Sequence, residues 1–417
     1  MPEFQTSPGM RDILPPDSGR WRRFVGIFSD AVTAAGYGQI IPPLLEDIGV
    51  FHRVGEATDV VTKEMYDFVD KGDRHIALRP EQTASVCRAF VQHSPATPWK
   101  VWYAGPNFRY ERPQRGRFRQ FDQVGIEVLG VEDPYVDIEV IALAWDFFAK
   151  LGLQQISLHL NSLGEPSDRE RYMQALKDYF SNNLEHLSQA SQATLTKNPL
   201  RVLDSKRPED QQIIDGAPRI SDFYSTEAKA HFDTVQEGLR ELGITFVINE
   251  KLVRGLDYYR HTTFEFVGGT MDSAQNALGG GGRYDGLVEA LGGPATAGVG
   301  FAIGLDRTLL ACDDEGVFLP MPDDVSVFVV DITGGRQAML ITHELRSAGI
   351  SADRAYQGRS IKSQMKSADR SGAVLAIIIG SDEVDSSTAI IRPLRSDQEQ
   401  YTVSRKDLLP TITKALS

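Results

Sequence analysis

Cysteine is scarce in this sequence: its 417 residues include only Cys87 and Cys312. Neither lies at CxxC spacing from a partner or at the spacing of a zinc-ligand set, which excludes a disulfide framework and a cysteine-bound zinc module. The eight histidines form no HExxH or zinc-finger pattern either. The sequence therefore predicts a protein of a reducing compartment, the cytoplasm, with no metal site built from its own side chains.

Long apolar runs are absent as well. The first residues, MPEFQTSPGMRDILPP, contain no basic stretch followed by an apolar one. No uncharged apolar segment approaches the roughly 20 residues that a membrane-spanning helix needs. We therefore expect neither export nor insertion into a membrane.

A surplus of basic residues is also missing, since the formal net charge is -13. This charge argues against a general binder of polyanions. The charge is unevenly distributed, however, and the segment 324–417 is close to neutral. Because phosphates respond to the potential within a Debye length of about 10 Å, a locally basic surface on an acidic protein can still bind RNA.

The sequence also lacks the motifs of the common nucleotide-binding folds. No GxxxxGK[ST] segment occurs, and no GxGxxG opens a helix after a strand with an acidic residue about 20 positions later. If the chain binds ATP, it does so with a different fold.

The patterns that are present indicate an α+β fold. Apolar residues recur at helical spacing over 17–35, and 133–150 and 168–197 also predict helices. QIIPPLLED predicts an edge strand, and VWYAGPNFRYE and FDQVGIEVLG predict further strands. Because helices and strands do not alternate regularly, a mostly antiparallel sheet flanked by helices is favoured over a doubly wound parallel sheet.

Composition shifts divide the chain into domains. Residues 1–322 predict a core domain, within which about 166–224 form a polar, helix-rich insertion. The acidic residues and prolines of 313–324 predict a linker region. Residues 325–417 predict a small α/β domain. Its predicted strands are SVFVVDI and AVLAIIIG, and its predicted helices lie around 335–348 and 359–371.

The first candidate site is FRYERPQRGRFRQFDQVGIE, residues 108–127. Pro113 and Gly116 lie between two extended stretches and predict a hairpin with a mobile loop. Because strand side chains alternate between faces, Arg109 and Glu111 share one face of the first strand. The same rule for the second strand places on one face Arg117, Arg119, Phe121, Gln123 and Glu127, and on the other Phe118, Val124, Ile126 and Val128.

One face of this hairpin therefore carries guanidinium groups, an aromatic ring, an amide and two carboxylates. Arginine forks suit phosphate oxygens, an aromatic ring can stack on a base, and carboxylates can hold an ammonium or an exocyclic amine. The alternative is a solvated strand face with cross-strand ion pairs, which is disfavoured because exposed ion pairs contribute little stability.

These residues closely resemble motif 2 of the class II aminoacyl-tRNA synthetases, and most closely that of the histidyl-tRNA synthetase family. The resemblance implies an ATP site in which Arg109 holds the α-phosphate, Glu111 contacts the adenine amine and Phe121 stacks on adenine. One departure is Asp122, at a position where the family often has histidine. Its even parity points it away from the site face.

The same resemblance implies two further groups of contacts. Gln123 and Glu127 line the amino-acid pocket. The loop residues Gln114, Arg117 and Arg119 approach the acceptor end of the tRNA.

A second candidate site lies further along the chain. LVRGLDYYRHTTFEFV contains Arg254, Tyr258 and Tyr259, and GGGGRYDGL contains Tyr284. By themselves the tyrosines could be core residues, and the glycine run could be a flexible hairpin tip. The two segments resemble the signature peptides of the histidyl-tRNA synthetases. This implies that Arg254 supplies positive charge at the α-phosphate and that the three tyrosines shape the imidazole pocket.

Three shorter segments extend the resemblance. GVGFAIGLDR predicts a small-residue strand that runs into a helix, and it resembles motif 3, which implies that Arg307 lies over adenine and reaches the terminal phosphates. LRPEQTA resembles the substrate loop of the family, which implies that Glu81 and Thr83 hold the amino group of histidine. IIPPLLED occupies the place of motif 1, a dimer-interface element.

The predicted C-terminal domain carries basic residues at intervals of three and four. Arg359, Lys362, Lys366 and Arg370 would share a helix face, which by itself is most simply a solvated surface. The domain resembles the anticodon-binding domain of the same family. The functional interpretation is therefore a basic face near RNA phosphates, with Arg359 and Lys362 as tRNA contacts.

The resemblance implies a histidine–tRNA ligase that uses ATP and Mg²⁺ to activate L-histidine as an adenylate, transfers it to tRNA(His) and works as a homodimer. One alternative is an inactive paralogue, the synthetase-like regulatory subunit of histidine biosynthesis, which usually lacks the anticodon-binding domain. Another is an RNA-sensing module like those of certain kinases, although no kinase motif occurs. Retention of Arg109, Glu111, Arg254 and Arg307 favours the ligase.

Overall fold

The structure is a computed structural model, and it describes residues 4–55, 60–203, 205–252, 259–270, 276–321 and 324–416. The chain divides into two compact units. Unit 1 consists of Met1–Ile13 and Arg20–Leu319, and unit 2 of Leu14–Gly19 and Pro320–Ser417.

Over residues 4–321 the described chain forms ten α-helices and eleven strands. The helices are α1 Asp17–Ala34, α2 Ile48–Gly55, α3 Thr83–His93, α4 Pro134–Lys150, α5 Pro166–Asn182, α6 Gln189–Leu195, α7 Pro208–Asp215, α8 Thr226–Glu241, α9 Leu287–Ala290 and α10 Leu305–Glu315. The strands are β1 Gly38–Gln39, β2 Leu45–Asp47, β3 Tyr66–Val69, β4 His75–Leu78, β5 Trp99–Phe108, β6 Gln120–Leu129, β7 Ile156–Ser162, β8 Phe246–Ile248, β9 Arg260–Gly268, β10 Ala277–Arg283 and β11 Gly298–Gly304. Shorter helical turns lie at Val60–Glu64, Leu184–His186, Pro199–Val202 and Ile220–Phe223.

Eight of these strands form one sheet in the order β1-β5-β6-β11-β10-β9-β7-β8. The inner pairs are all antiparallel, and parallel pairing occurs only at the two edges, between β1 and β5 and between β7 and β8. The predicted α+β fold with a mostly antiparallel sheet is confirmed.

Helix α1 packs on this sheet through an apolar stripe. Phe24, Phe28 and Val32 recur every fourth residue and are buried, as the helical spacing predicts. The Phe28 ring meets that of Phe147 from α4 edge to face at 5.2 Å between centroids. Burial of each such ring stabilises the fold by about 2–3 kcal/mol. The predicted helix at 17–35 is confirmed.

The prediction of one edge strand over QIIPPLLED is wrong. The segment instead contributes Gln39, the second residue of β1, to the edge of the large sheet, and β2 to a separate three-stranded sheet of order β2-β4-β3. The intervening Pro42 and Pro43 lack the amide hydrogen that a ladder requires, so the pairing stops between the two strands.

The helix predicted at 133–150 is confirmed as α4, which begins with Pro134 after the capping side chain of Asp133. The continuous helix predicted at 168–197 is wrong, because α5 ends at Asn182 and α6 begins after Ser188. The Ser188 hydroxyl accepts the Ser191 amide hydrogen at 3.2 Å and starts the new helix.

The helix-rich segment from α5 to the turn Ile220–Phe223 has its own apolar core. Its largest buried members are Tyr172, Leu176 and Phe180 of α5. Helix α10 continues through Glu315, so the first three residues of the predicted linker region 313–324 are helical. The domain limits themselves stay a prediction.

Over residues 324–416 the chain forms four helices and five strands. The helices are α11 Arg336–Ser347, α12 Ile361–Arg370, α13 Ser381–Asp385 and α14 Leu408–Leu416. The strands are β12 Val327–Asp331, β13 Ala352–Arg354, β14 Leu375–Ile379, β15 Thr388–Pro393 and β16 Tyr401–Ser404. They form a sheet of order β13-β12-β14-β15-β16, in which β12 is parallel to both neighbours and the other pairs are antiparallel. The two strands and two helices predicted here are confirmed. Among the described residues of the whole chain, none of the helices has the length and apolar character to cross a membrane.

Candidate functional site

Glu127, at 1% exposure, is a carboxyl group enclosed by hydroxyl groups from three other elements. Thr83 at the start of α3 donates its hydroxyl to Glu127 Oε1 at 2.7 Å, and Tyr103 of β5 donates to the same oxygen at 3.1 Å. The Tyr284 hydroxyl, just after β10, donates to Oε2. We call these four residues the Glu127 cluster. Its donors leave a polar, preorganised centre inside an otherwise apolar region.

Glycines of β11 make room for this cluster. A Cβ at Gly300, which pairs with Glu127, would lie 1.9 Å from Glu127 Oε2. A Cβ at Gly298 would lie 2.4 Å from the Tyr284 ring. The alternative of a flexible hairpin tip at the glycine run 279–282 is wrong, because the run forms the interior strand β10 between β11 and β9. Because Gly298 and Gly300 have no side chains, the polar side chains of Glu127 and Tyr284 can occupy the space beside them.

Burial raises the pKa of Glu127 to about 8, although its hydroxyl donors oppose that shift. Burial also raises the pKa of Glu81, whose oxygens accept the amide hydrogens of Thr83 and Ala84 at 2.6 and 2.9 Å. The charge of Glu81 raises the pKa of Glu127 further, whereas the charge of Arg109 opposes the rise at Glu81. Two buried acids favour a positively charged ligand, because a cation would stabilise both ionised forms.

The predicted amino-acid pocket residues are largely brought together. Glu81, Thr83, Glu127 and Tyr284 are joined by the contacts above, and Tyr259 belongs to the same buried apolar cluster as Tyr284. Gln123 lies four residues before Glu127 on β6 and accepts a hydrogen bond from Asn107 at 2.8 Å. Arg254 and Tyr258 lie outside the described residues.

Arg109 lies at the exit of β5, close to the aromatic ring predicted to stack on adenine. Its guanidinium carbon is 5.2 Å from the centroid of the Phe121 ring, and its Nε donates to the Pro80 carbonyl at 3.0 Å. This second contact ties Arg109 to the segment that carries Glu81. A cation and an aromatic face are therefore held side by side next to the Glu127 cluster.

Further guanidinium groups converge on the same region. Arg117 pairs with Glu111 at 2.8 Å, and Arg307 donates to the Ala277 carbonyl at 3.1 Å. Burial lowers the pKa of Arg307, and the charges of Arg117 and Arg109 lower it further, while Glu111 opposes the shift. Crowded cations of this kind gain stability from an anion with several negative oxygens, such as a phosphate chain.

The strand assignment of the loop residues is wrong. Strand β5 ends at Phe108 and β6 begins at Gln120, so Arg109, Glu111, Arg117 and Arg119 lie in the connection. The Gln114–Arg117 bridge closes a tight turn, and the Arg109 amide donates to the Arg119 carbonyl at 2.8 Å. Pro113 lacks the amide hydrogen needed to extend the ladder. The hairpin itself is confirmed.

The parity prediction holds where β6 is regular. Val124, Ile126 and Val128 pack in the main core, and Glu127 faces the cluster described above. Asp122 lies behind the site face, close enough to Asp306 for its carboxylate to raise the pKa of Asp306 and its backbone amide to lower it. Burial raises the pKa of Asp122, and the nearby Arg79 and Arg11 oppose that shift.

One member of the Glu127 cluster was missed by sequence reasoning. Tyr103 is completely buried in β5 and opposes Gly125 of β6. A Cβ at Gly125 would lie 2.5 Å from the Tyr103 hydroxyl oxygen. Extending the parity rule from Arg109 back along β5 would have placed Tyr103 on the same face.

A buried ion pair next to Tyr284 was also missed. Arg283 and Asp137 of α4 are 1% and 0% exposed, and their closest atoms are 2.5 Å apart. Asp137 also pairs with His231 Nε2 at 2.8 Å, and the His231 ring stacks on that of His261 at 4.9 Å between centroids. Asp285 accepts the Gly298 amide hydrogen at 3.0 Å. These contacts fix the strand ends that carry Tyr284 and Gly298.

Replacing Arg283 by methionine should lower the free energy of unfolding by about 3–5 kcal/mol, because Asp137 would keep a buried and poorly compensated charge. The double variant Arg283→Met with Asp137→Leu should recover most of that loss. Urea unfolding of unit 1 measures both. The matched control is Lys229→Met, which removes an exposed pair with Asp233 and should cost less than about 0.5 kcal/mol. A double variant no more stable than Arg283→Met would contradict the explanation that the loss comes from the buried charge of Asp137.

In unit 2, the basic residues do not all share a helix. Arg359 precedes α12 and donates to Gln357 Oε1 at 3.0 Å, so its predicted helical position is wrong. The bend follows from Gln357 and Gly358, whose φ angles of 69° and 51° are left-handed. Lys362, Lys366 and Arg370 lie on α12 and are exposed.

Comparison with known proteins agrees with this geometry. The family model "Histidyl-tRNA synthetase" matches residues 9–308, and the model "Anticodon binding domain" matches residues 324–415. The chain is 44% identical to the histidine–tRNA ligase of Streptococcus pyogenes serotype M18 (strain MGAS8232), with 98% of this chain and 97% of that protein covered. The identity to the Streptococcus thermophilus (strain ATCC BAA-491 / LMD-9) ligase is also 44%, with 99% of each covered. The crystal structure of apo S. aureus histidyl-tRNA synthetase is similar with a TM-score of 0.83 and 37% identity, covering 98% of this chain and 99% of that chain.

Proposed function

Because the chain belongs to the histidyl-tRNA synthetase family, we propose that it activates L-histidine with ATP and transfers it to tRNA(His). The observation that carries this proposal is the buried Glu127 cluster lying beside convergent arginines at the end of the β5–β6 hairpin. An acidic pocket next to a cationic, aromatic-lined region suits one cationic and one polyanionic substrate.

Adenylate formation joins two anions. A carboxylate oxygen of histidine attacks the α-phosphorus of ATP, and the bond from that phosphorus to the bridging oxygen of pyrophosphate breaks. Arg109 stabilises the charge that develops on the α-phosphate, and the family resemblance gives Arg254 the same role. Preorganised cations lower this barrier because they need no reorientation during reaction. In the second step the terminal ribose hydroxyl of the tRNA attacks the carbonyl carbon, and AMP leaves.

ATP binds between the hairpin and the start of α10. Phe121 stacks on adenine, and Glu111 accepts a hydrogen bond from the exocyclic amine. Arg307 covers the ring and reaches the terminal phosphates. Support comes from the proximity of Arg307 to Glu111 and Arg109, which shift its pKa in opposite directions. The pairing of Glu111 with Arg117 at 2.8 Å holds that carboxylate in the same region.

Magnesium accompanies the nucleotide in this proposal. Among the described residues, no three His, Cys, Asp or Glu side chains are grouped as metal ligands. Mg²⁺ is commonly held by substrate phosphates with only one or two carboxylates, so this arrangement fits an ion that arrives with ATP. Glu265 and Glu111 both lie close enough to Arg307 to raise its pKa, and either carboxylate could assist in holding the ion.

Histidine is recognised by the Glu127 cluster. Glu81 and Thr83 hold its amino group, and Gln123, Glu127, Tyr258, Tyr259 and Tyr284 line the remaining pocket. A side chain that cannot hydrogen bond would leave buried polar groups unpaired, which discriminates far more strongly than a missing methylene. Tyr103 keeps Glu127 in position by donating to its Oε1 atom at 3.1 Å.

The tRNA contacts unit 1 through Gln114, Arg117 and Arg119, and unit 2 through Arg359 and Lys362. Gln114 and Arg359 are exposed, as this role requires. The double variant Arg359→Ala with Lys362→Ala should raise the KM for tRNA about tenfold and reduce the salt dependence of binding by one to two counterions. Histidine-dependent exchange without tRNA should stay unchanged.

Filter binding across a series of salt concentrations, together with aminoacylation kinetics, measures this effect. Lys414→Ala is the control, because Lys414 is an exposed lysine of the same unit on α14. An equal loss in the control would contradict a localised tRNA contact.

We also propose that the protein is a cytoplasmic homodimer. Exposed apolar side chains accumulate along the segment similar to motif 1 and the adjoining three-stranded sheet, which is typical of an interface. They are Ile41, Leu44, Leu45, Phe68 and Val69. Both cysteines are free thiols, which is compatible with a reducing compartment.

The direct test of the proposed function is transfer of labelled histidine to tRNA. With ATP and magnesium, acid-precipitable label should accumulate on tRNA(His) and on no other tRNA of a purified panel. A folded protein that binds histidine and ATP but charges no tRNA would contradict the ligase and favour the regulatory-subunit alternative.

A further inference from the structure

The segment before α1 lies against the connection between β5 and β6. The Gly9 carbonyl accepts the Arg119 amide hydrogen at 2.8 Å, and the Arg119 carbonyl accepts that of Arg109 at the same distance. Gly9 has a left-handed φ of 79°, and a Cβ there would lie 2.7 Å from Arg119 Cγ. The N-terminal segment therefore continues the hydrogen-bonding pattern at the base of the hairpin and leaves no room for a side chain at position 9.

Arg11, two residues later, contacts three separate parts of the chain. Its guanidinium carbon lies 4.1 Å from the centroid of the Phe118 ring in the hairpin connection and 6.0 Å from that of Trp21 in α1. It forms an ion pair with Asp306, whose side chain is 7% exposed, whereas Arg11 itself is 43% exposed. Arg11 thus holds a nearly buried carboxylate from the edge of solvent.

Asp306 also lies next to Asp122 of β6. The backbone amide of Asp122 is close enough to Asp306 to lower its pKa, and the Asp122 carboxylate raises it, in addition to the ion pair of Asp306 with Arg11. Asp122 follows Phe121 in the sequence, and Asp306 precedes Arg307. The two groups proposed to sandwich adenine are therefore adjacent in sequence to two neighbouring acids, Phe121 to Asp122 and Arg307 to Asp306.

We propose that Arg11 is a positioning residue of the ATP site: by neutralising Asp306, it holds the first turn of α10 against β6 and so sets the separation of Arg307 and Phe121. This inference rests on the proposed function, in which those two residues bind ATP. Arg11 itself does not touch the nucleotide. Arg11 affects the relative positions of Arg307 and Phe121 and not the histidine pocket, because none of its contacts involves the Glu127 cluster.

The charges around Asp306 make this arrangement dependent on pH. Arg11 and Asp122 face Asp306, and Arg79 in turn lies near Asp122. Burial raises the pKa of Asp306 to about 6, although Arg11 opposes the shift. The ion pair is therefore complete well above pH 6 and is lost as Asp306 takes up a proton below it. The KM for ATP should rise as the pH falls through about 6, and Asp306→Asn should remove that dependence.

The experiment is histidine-dependent exchange of pyrophosphate into ATP by full-length Arg11→Met, which keeps a side chain of similar length without the charge. The KM for ATP should rise about tenfold, since a small misplacement of a binding group has effects of this size, while the KM for histidine stays unchanged. Arg11→Lys should restore part of the affinity. In the Asp306→Asn background, Arg11→Met should add little further, because its partner is already gone.

Arg23→Met is the matched control. Arg23 also packs on an aromatic ring, with its guanidinium carbon 4.1 Å from the Phe318 centroid, and it donates to the Leu319 carbonyl at 2.9 Å. It makes no contact with the hairpin connection, so its kinetic constants should stay at the wild-type values.

A parallel rise of both KM values in Arg11→Met, or a lower stability with unchanged kinetics, would overturn the positioning role. A wild-type protein without histidine-dependent exchange would contradict the proposed function instead. In that case equilibrium dialysis with ATP still decides the role of Arg11. An affinity equal to wild type would overturn it, and a loss of about tenfold would support it.

Discussion

Arg109→Ala is expected to lower kcat for adenylate formation about 10²- to 10³-fold, because it removes a preorganised cation from the α-phosphate, where negative charge develops in the transition state. The fold should be preserved, since the guanidinium group makes a hydrogen bond to the Pro80 carbonyl and a contact with Phe121 and is not part of the buried core. Histidine-dependent pyrophosphate exchange at saturating ATP and histidine measures the change.

Arg115→Ala provides the comparison within the same connection. Arg115 is 72% exposed and pairs with Asp314 at 2.9 Å, so exchange without tRNA should be unaffected by its loss. Similar rates for Arg109→Ala and Arg115→Ala would refute the assignment of Arg109 to the reacting phosphate. A loss confined to the KM for ATP would mean that Arg109 binds the nucleotide equally in the ground state and the transition state.

Glu127→Gln should raise the KM for histidine about 10- to 100-fold and leave the KM for ATP nearly unchanged, because hydrogen bonds to a charged group are worth about 1.5–3 kcal/mol. The substitution keeps the volume of the side chain and removes its ability to ionise. Glu139→Gln is the control, since Glu139 also accepts a tyrosine hydroxyl, that of Tyr37 at 2.9 Å, but lies on α4 outside the pocket. Equal effects of the two substitutions on the KM for histidine would refute the pocket assignment.

The same variant also tests the electrostatics of the pocket. Burial raises the pKa of Glu127 to about 8 from its ordinary value of 4.5. A carboxyl group whose pKa is higher in the folded than in the unfolded state contributes to stability, and this contribution is fully present below the unfolded pKa. The stability it contributes there is lost as the pH rises through the folded pKa, and the shift corresponds to several kcal/mol.

Glu127→Gln cannot ionise, so its stability relative to wild type should increase between pH 5 and pH 9. Urea unfolding at both pH values, in the absence of histidine, measures this change. A stability difference that is the same at pH 5 and pH 9 would show that Glu127 does not carry a raised pKa.

The regular parts of the site were predictable from the sequence. The alternation of side chains along β6 correctly separated Val124, Ile126 and Val128 in the core from Glu127 in the pocket. The same rule did not apply to Arg117 and Arg119, because the strand begins only at Gln120 and the turn before it follows its own backbone geometry. The alternation of side chains with a period of two applies only to residues that lie within a hydrogen-bonded strand.

Other parts depend on contacts between distant residues. Arg283 and Asp137 are 146 positions apart, and Tyr284 and Glu127 are 157 apart. No local pattern connects such pairs, so Asp137 was not identified as part of the site. The glycine run illustrates the same difficulty, because glycine permits both a flexible turn and a strand closely approached by its neighbours. The pairing of the run with β9 and β11 decides between them, because a Cβ at Gly281 would lie 1.9 Å from the Gly300 carbonyl oxygen.

The central claim is that the buried acidic pocket and the adjoining arginines activate histidine, and no other amino acid, with ATP. Exchange of labelled pyrophosphate into ATP, run without tRNA and with each of the twenty amino acids in turn, tests it most directly. We predict exchange with histidine alone, and none without magnesium. No exchange from the folded protein with histidine, or equal exchange with several amino acids, would contradict the account.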